Sequence, residues 1–148
     1  MICYLNKGSL LRDTRAQIIF NPVSVSKSKA GQDVFNPKIK QQYPSVYKSY
    51  REYMIGESQK RLLGDIQLIQ IGEKKLILNA FVYKGNELNL KAVSKTFIEL
   101  SNLIEEYNIN AAFLNNLGSR NIKDIYEIEK IITTIFADCK SDIYIYKK

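Results

Sequence analysis

Short apolar runs alternate along the chain with longer stretches in which apolar residues recur every three or four positions. Residues 2–5 (ICYL) and 16–20 (AQIIF) read as strands, separated by a Gly8-Ser9 turn and a polar stretch. A helix is expected from Tyr43-Pro44, with Pro44 in its first turn, Val46, Tyr47, Tyr50 and Met54 on one side, and Gly56 as its stop. "GDIQLIQIGEKKLILNAFVY" (64–83) reads as a hairpin turning at Gly72-Glu73-Lys74 and returning through Leu76 to Phe81. Its alternation slips by one residue between Leu68 and Ile69, so either a bulge or burial on both faces is expected there. Leu90, Val93, Phe97, Leu100, Ile104 and Tyr107 form the stripe of a long amphipathic helix. "NINAAFLNN" is a short buried strand. Asn121 and Asp124 then stand at the spacing of a helix N-cap and a supporting acid. Ile125, Ile128, Ile132 and Ile135 line the inner side of that last helix, and "DIYIYKK" closes the chain as an alternating strand.

The order β, β, α, ββ, α, β, α, β implies α/β architecture: a mixed sheet with helices packed on it. Ligands of such sheets sit outside the carboxyl ends of the strands, where loops meet helix N-termini. Two loops qualify, residues 21–34 and "NNLGSRN" (115–121). With 148 residues and no linker, repeat or low-complexity tract, the chain reads as one domain spanning 1–148.

Composition narrows the chemistry. There is no histidine, which removes Ser-His-Asp and Cys-His catalysis and the easiest general base near neutral pH. Cys3 and Cys139 alone make neither a disulfide framework nor a zinc site, so no metal and no cofactor are expected. No apolar run is long enough to span a bilayer and the N-terminus lacks signal-peptide character, so a reduced cytoplasmic protein without membrane contact is the simplest expectation. The net charge of +7 is dispersed over Lys27, Lys29, Lys38, Lys40, Lys60, Arg61, Lys74, Lys75 and the terminal Lys147-Lys148, without a base-reading motif. It reads as a solvated basic surface that attracts an anionic small ligand.

The two loops and the hairpin between them resemble the macro domain family, which binds ADP-ribose. The residues that carry the likeness are "YLNKGSLL" with Gly8-Ser9, "RAQIIFNPVS" running from Ala16 through Asn21 to Ser24, and "FLNNLGSRNIKDIYEIEKII" before the last helix. The chain looks nearest to the branch that removes ADP-ribose from DNA bases or acidic side chains, through "KIKQQYPSVYKSY", "GDIQLIQIG" and the Phe-x-x-Lys of Phe81 and Lys84. The resemblance implies a three-layer α/β/α fold, its mixed central sheet of about six strands carrying helices on both faces. It implies ligand contacts from Gly8, Ser9, Leu10, Asn21, Ser24, Gly31, Phe81, Gly118, Ser119, Arg120 and Asn121.

Departures from the family pattern are equally specific. The acid that hydrogen-bonds the adenine amino group falls on Ser9, and the asparagine that holds the distal ribose falls on Ser24. The glycines of the first loop are replaced by Lys27, Ser28, Lys29, Ala30 and Gln32, with Gly31 kept. Arg120 stands where another glycine is usual, and the acid that assists the lysine falls near Ile122, two residues short of Asp124.

Several readings stay open at this stage. Gly118 to Asn121 is either a phosphate cradle or a plain strand–helix turn capped by Asn121. Lys84 is either an amine nucleophile toward the anomeric carbon or a solvated loop lysine. Lys27 and Lys29 either grip phosphate or keep the loop soluble. Tyr43, Tyr47, Tyr50 and Tyr53 are better explained by packing than by stacking on adenine. The expected partner is ADP-ribose or a related nucleotide such as a cyclic derivative, held without turnover. The alternatives are an ADP-ribosyl glycohydrolase acting on modified DNA or protein, and an interaction domain with a dead pocket and a basic face. A composition heavy in Lys, Ile and Asn fits a phage or a low-GC bacterium as the source.

Overall fold

The computed structural model of the chain describes residues 1–27, 31–55 and 59–147. Within these residues seven strands form one sheet: β1 (Ile2–Leu5), β2 (Ile18–Ser24), β3 (Ile66–Gly72), β4 (Lys75–Lys84), β5 (Glu87–Leu88), β6 (Ala111–Leu114) and β7 (Ile143–Tyr146). Their order is β1-β7-β6-β2-β4-β3, with β5 attached to β4. β1, β7, β6, β2 and β4 run parallel, whereas β3 and β5 pair antiparallel with β4. The carboxyl ends of the five parallel strands therefore share one edge of the sheet.

The helices are α1 (Pro37–Gln42), α2 (Pro44–Ile55), α3 (Gln59–Leu62), α4 (Leu90–Tyr107) and α5 (Ile122–Phe136), with a 3-10 turn at Leu10–Arg12. α4 and α5 cover one face, burying Phe97 and Phe136 against Phe20 and Phe113 in a ring cluster with centroids 4.9–6.2 Å apart. Side chains of α1 and α2, with Leu10 and Ala16, cover the other face over Ile19, Ile77, Ala112, Tyr144 and Tyr146. This is the three-layer α/β/α arrangement expected, with the two-residue β5 as a seventh strand.

The differences from expectation have local causes. β2 does not end before Asn21. It continues through Pro22 to Ser24, so Asn21 and Ser24 belong to the strand and not to a loop. Beyond Ile19 the strand pairs only with β4, and a one-sided strand tolerates a residue that cannot donate a hydrogen bond. The alternation slip at Leu68 and Ile69 is not a bulge, since pairing with β4 runs unbroken from Ile66 to Gln70. Gln67 is half-buried and Leu68 exposed there: the Gln67 amide donates to the Ser49 carbonyl at 3.1 Å and accepts from Asn79 at 3.0 Å. A polar tie, not an apolar contact, sets the phase. β4 runs three residues past Phe81 to Lys84, so the Phe-x-x-Lys stretch ends the strand as the resemblance implies, beyond the end that the apolar run alone suggests.

α1 falls in the "KIKQQYPSVYKSY" segment, which the resemblance reads as a basic helix and which the structure divides at Tyr43 into α1 and α2. α1 is capped by Asn36, whose side chain accepts from the N–H groups of Lys38 and Ile39, with Pro37 at its first position. α3 and β5 are additional elements. Gly56, the expected stop of α2, and Ser28, Lys29, Ala30 and Lys148 lie outside the described residues. No described helix is long and apolar enough to cross a membrane.

Candidate functional site

The strand–helix turn after β6 is built around Leu117 and Gly118, which both adopt positive φ, 48° and 82°. A left-handed leucine costs about 1–2 kcal/mol. Burying its side chain, which is fully covered here, returns about 2 kcal/mol, so packing holds the turn in place. Tyr83 locks it from β4 by donating to the Leu117 carbonyl at 2.8 Å, and burial followed by the Asp124 charge pushes the Tyr83 pKa up. Gly118, Ser119, Arg120 and Asn121 together line a cavity of about 700 Å³, faced by Val34 and Gln32 from the first loop and by Tyr83 and Glu87. The structure thus brings four of the expected residues into one concave site.

The donors of this turn are largely engaged within it. Gly118 N–H donates to Asn116 Oδ1 at 2.9 Å, Ser119 N–H to the Asn116 carbonyl at 2.8 Å, and Asn121 N–H to Ser119 Oγ at 3.1 Å. Ser119 Oγ in turn donates to Asp124 Oδ2 at 2.8 Å. Asn121 caps α5 by accepting from Lys123 N–H at 2.9 Å. The expected pairing of cap and acid is therefore relayed through Ser119. Asp124 and Glu87 set two carboxylates against the single guanidinium of Arg120 in this cavity.

The first loop contributes less than its sequence suggested. Ser24 is wholly buried: its Oγ accepts from Val34 N–H at 2.9 Å and lies 3.3 Å from the Tyr50 hydroxyl, which donates to the Ser24 carbonyl at 2.6 Å. Ser26 performs a similar tie, accepting from Gly85 N–H at 3.1 Å. Asn21 is buried inside the sheet and donates to Asn79 Oδ1 at 2.8 Å; its own Oδ1 has no partner among the described residues. Neither Asn21 nor Ser24 lines the cavity. Phe81 is fully buried, stacked against Tyr50 and Tyr53 at 5.9 and 5.7 Å. Tyr47 donates to Asp33 at 2.6 Å, and Tyr43 packs against the apolar layer over β2, so these aromatics are packing groups. Gly31 is exposed at φ 77° and Lys27 is exposed. Lys84 is exposed at the end of β4, opposite Glu87 of β5, and is not among the cavity-lining residues.

A second cavity of about 510 Å³ opens where the chain leaves β1. Gly8 and Ser9 line it, while Leu10 is buried beneath. Its organiser, Asp13, was not singled out from the sequence. Asp13 Oδ1 accepts from the N–H groups of Arg15 and Ala16 at 2.7 and 3.0 Å, and Oδ2 accepts from Arg15 Nη2 at 3.0 Å and from the Tyr146 hydroxyl. Burial alone would raise its pKa, but the bonds from Tyr146 and Arg15 outweigh it and hold the carboxyl below the usual carboxylate value. The available signal was "DTRA" ahead of a strand, an aspartate placed to accept from N–H groups two and three residues on. Among the described residues, no group of three or more metal-ligating side chains converges.

No family model matches the sequence, and no curated protein matches it. Solved structures do. The macrodomain of Thermus aquaticus DarG superposes with a TM-score of 0.78 at 19% identity, over 100% of this chain and 99% of that one. The macrodomain of Mycobacterium tuberculosis DarG gives 0.75 at 22% identity, over 99% and 97%. Thermosipho africanus DarTG, solved in complex with ADP-ribose, gives 0.66 at 14% identity over 91% of this chain and 39% of its own. With its strand order, its two helical layers and these likenesses, the chain has the macrodomain fold.

Proposed function

We propose that the chain binds ADP-ribose, or a nucleotide built like it such as a cyclic ADP-ribose derivative, and sequesters or senses it without cleaving it. The observation that carries this reading is the cavity formed by Gly118 to Asn121 against Val34 and Tyr83, at the carboxyl edge of a macrodomain sheet. The neighbour from Thermosipho africanus holds ADP-ribose, which supports the choice of ligand class. Arg120 is the cation available to a diphosphate there, and Gly118 leaves room for close approach of a ligand to the backbone.

Binding is favoured over hydrolysis by the placement of the groups a hydrolase would use. Lys84, the expected nucleophile, is exposed and outside the cavity lining, and Asp124 is engaged by Ser119. An amine attacking an anomeric carbon needs to face it at near-contact distance with an acid at hand.

Isothermal calorimetry with ADP-ribose tests the reading, followed by an assay for ADP-ribose released from modified DNA or protein. Saturable heat without release is expected. Release that disappears in Lys84→Ala would establish the hydrolase instead. No heat with ADP-ribose or its cyclic and phosphorylated relatives would leave only an interaction domain with a basic face.

A further inference from the structure

We propose that the cavity beside β1 binds a phosphate group, as inorganic phosphate, a phosphate monoester or a phosphodiester, through Arg15, Arg12 and Lys7. All three line it. Among the described residues Asp13 is its only carboxylate, and that side chain is wholly buried with both oxygens accepting hydrogen bonds from Arg15, Ala16 and Tyr146. The negative charge thus serves to fix the wall, and the surface offered to a ligand carries cations. Lys75 adds to this balance from below by donating to the Asp13 carbonyl.

Arg15 is the group best prepared to grip an anion. Its guanidinium lies 4.2 Å from the centroid of the Tyr144 ring, and its two hydrogen bonds, to Asp13 and to the Tyr146 hydroxyl at 3.4 Å, both use Nη2. The side chain is still 49% exposed. Nε and Nη1 therefore make no hydrogen bond to the described residues, on a guanidinium that is already held in place. A planar fork with its orientation fixed loses little entropy on meeting a tetrahedral anion. Ser9 and Thr14 add hydroxyl donors at the same wall. Gly8, at φ 104°, lies so close to Tyr146 that a Cβ would sit 3.3 Å from its ring, which keeps this wall compact.

The contrast with the cavity at Gly118 sharpens the assignment. There, two carboxylates stand against one guanidinium. Here, three cations share the lining with one carboxylate that is paired with Arg15 and fully hydrogen-bonded. This inference does not rest on ADP-ribose binding: failure of ADP-ribose calorimetry leaves it standing, and its own failure leaves that reading untouched.

The test is an NMR titration of the full chain with inorganic phosphate, then with thymidine monophosphate and with a short oligothymidylate. Phosphate is expected to shift the amides of residues 7–15 and 146 and the Arg15 Nε–H. Arg12→Ala should weaken this about fivefold with an unchanged melting temperature, as expected when one charge-assisted contact is lost. Arg15→Lys keeps the charge and removes the fork, and should weaken it as well while the protein stays folded. Tighter binding of the oligothymidylate assigns the phosphate to a nucleic-acid backbone; equal or tighter binding of the small probes assigns it to a free phosphate or nucleotide. Shifts confined to residues 118–121, shifts spread evenly over the basic surface, or unaltered binding in both variants would overturn the proposal.

Discussion

At the scale of single residues, the side chains that matter most are polar groups whose partners lie inside the protein. Asp13 joins the segment before β2 to the end of β7, and its loss strands Arg15 and the Tyr146 hydroxyl. Asp13→Ala is expected to cost about 2 kcal/mol, as for the loss of hydrogen bonds to a buried charged acceptor whose cationic partner, Arg15, stays half-exposed. Urea unfolding at neutral pH measures this. The same carboxyl makes stability fall in acid. Its folded pKa lies below its unfolded one, so its contribution is complete above about pH 4 and is lost as pH drops through the folded value. Asp13→Asn should therefore flatten the acid limb of a stability-versus-pH curve; an unaltered limb would remove Asp13 as its cause. Asp124 gives a ligand-side prediction. It faces the cavity with Glu87, and removing one like charge near a diphosphate is worth on the order of 1 kcal/mol, so Asp124→Asn should tighten ADP-ribose about fivefold. Weaker binding in that variant would mean that Asp124 assists the ligand.

At the scale of elements, β2 and the turn before α5 separate what the sequence reveals from what it hides. The long helices were legible because their apolar stripes repeat every three or four residues over four or more turns. Asn121 was legible as a cap, and Asn121→Ala should destabilise by about 1 kcal/mol, read as a lower thermal midpoint. The end of β2 was not legible, because Asn-Pro is a turn signal in most contexts. Only the pairing of the strand on one side past Ile19 lets it continue. That boundary changed the site: Asn21 and Ser24 moved from a presumed ligand loop into the sheet and its buried ties. Gly118 lies in the strand–helix turn that lines the larger cavity. The partner that locks this turn, Tyr83, lies on β4, 34 residues before the Leu117 carbonyl it bonds, and no local pattern connects the two. Asp13 was missed for the same reason, since the hydroxyl that completes its network belongs to Tyr146 at the other end of the chain. A Gly118→Ala change, forced to adopt φ near 82°, should cost about 1 kcal/mol or more in stability whether or not ligand is present.

At the scale of the whole molecule, the net charge of +7 is not distributed evenly between the two cavities. The one at Gly118 has a shaped turn at the carboxyl ends of β4 and β6, with internal bonds on much of its backbone. The one at Arg15 has the cations. A binder without turnover fits both facts, because the chain retains a shaped cavity while its lysine and acid are set apart. Isothermal titration of the full chain with ADP-ribose tests this account most directly. It predicts saturable, one-to-one heat that Gly118→Ala or Arg120→Ala weakens and Lys84→Ala leaves unchanged; absence of heat, or binding that depends on Lys84 alone, would contradict it.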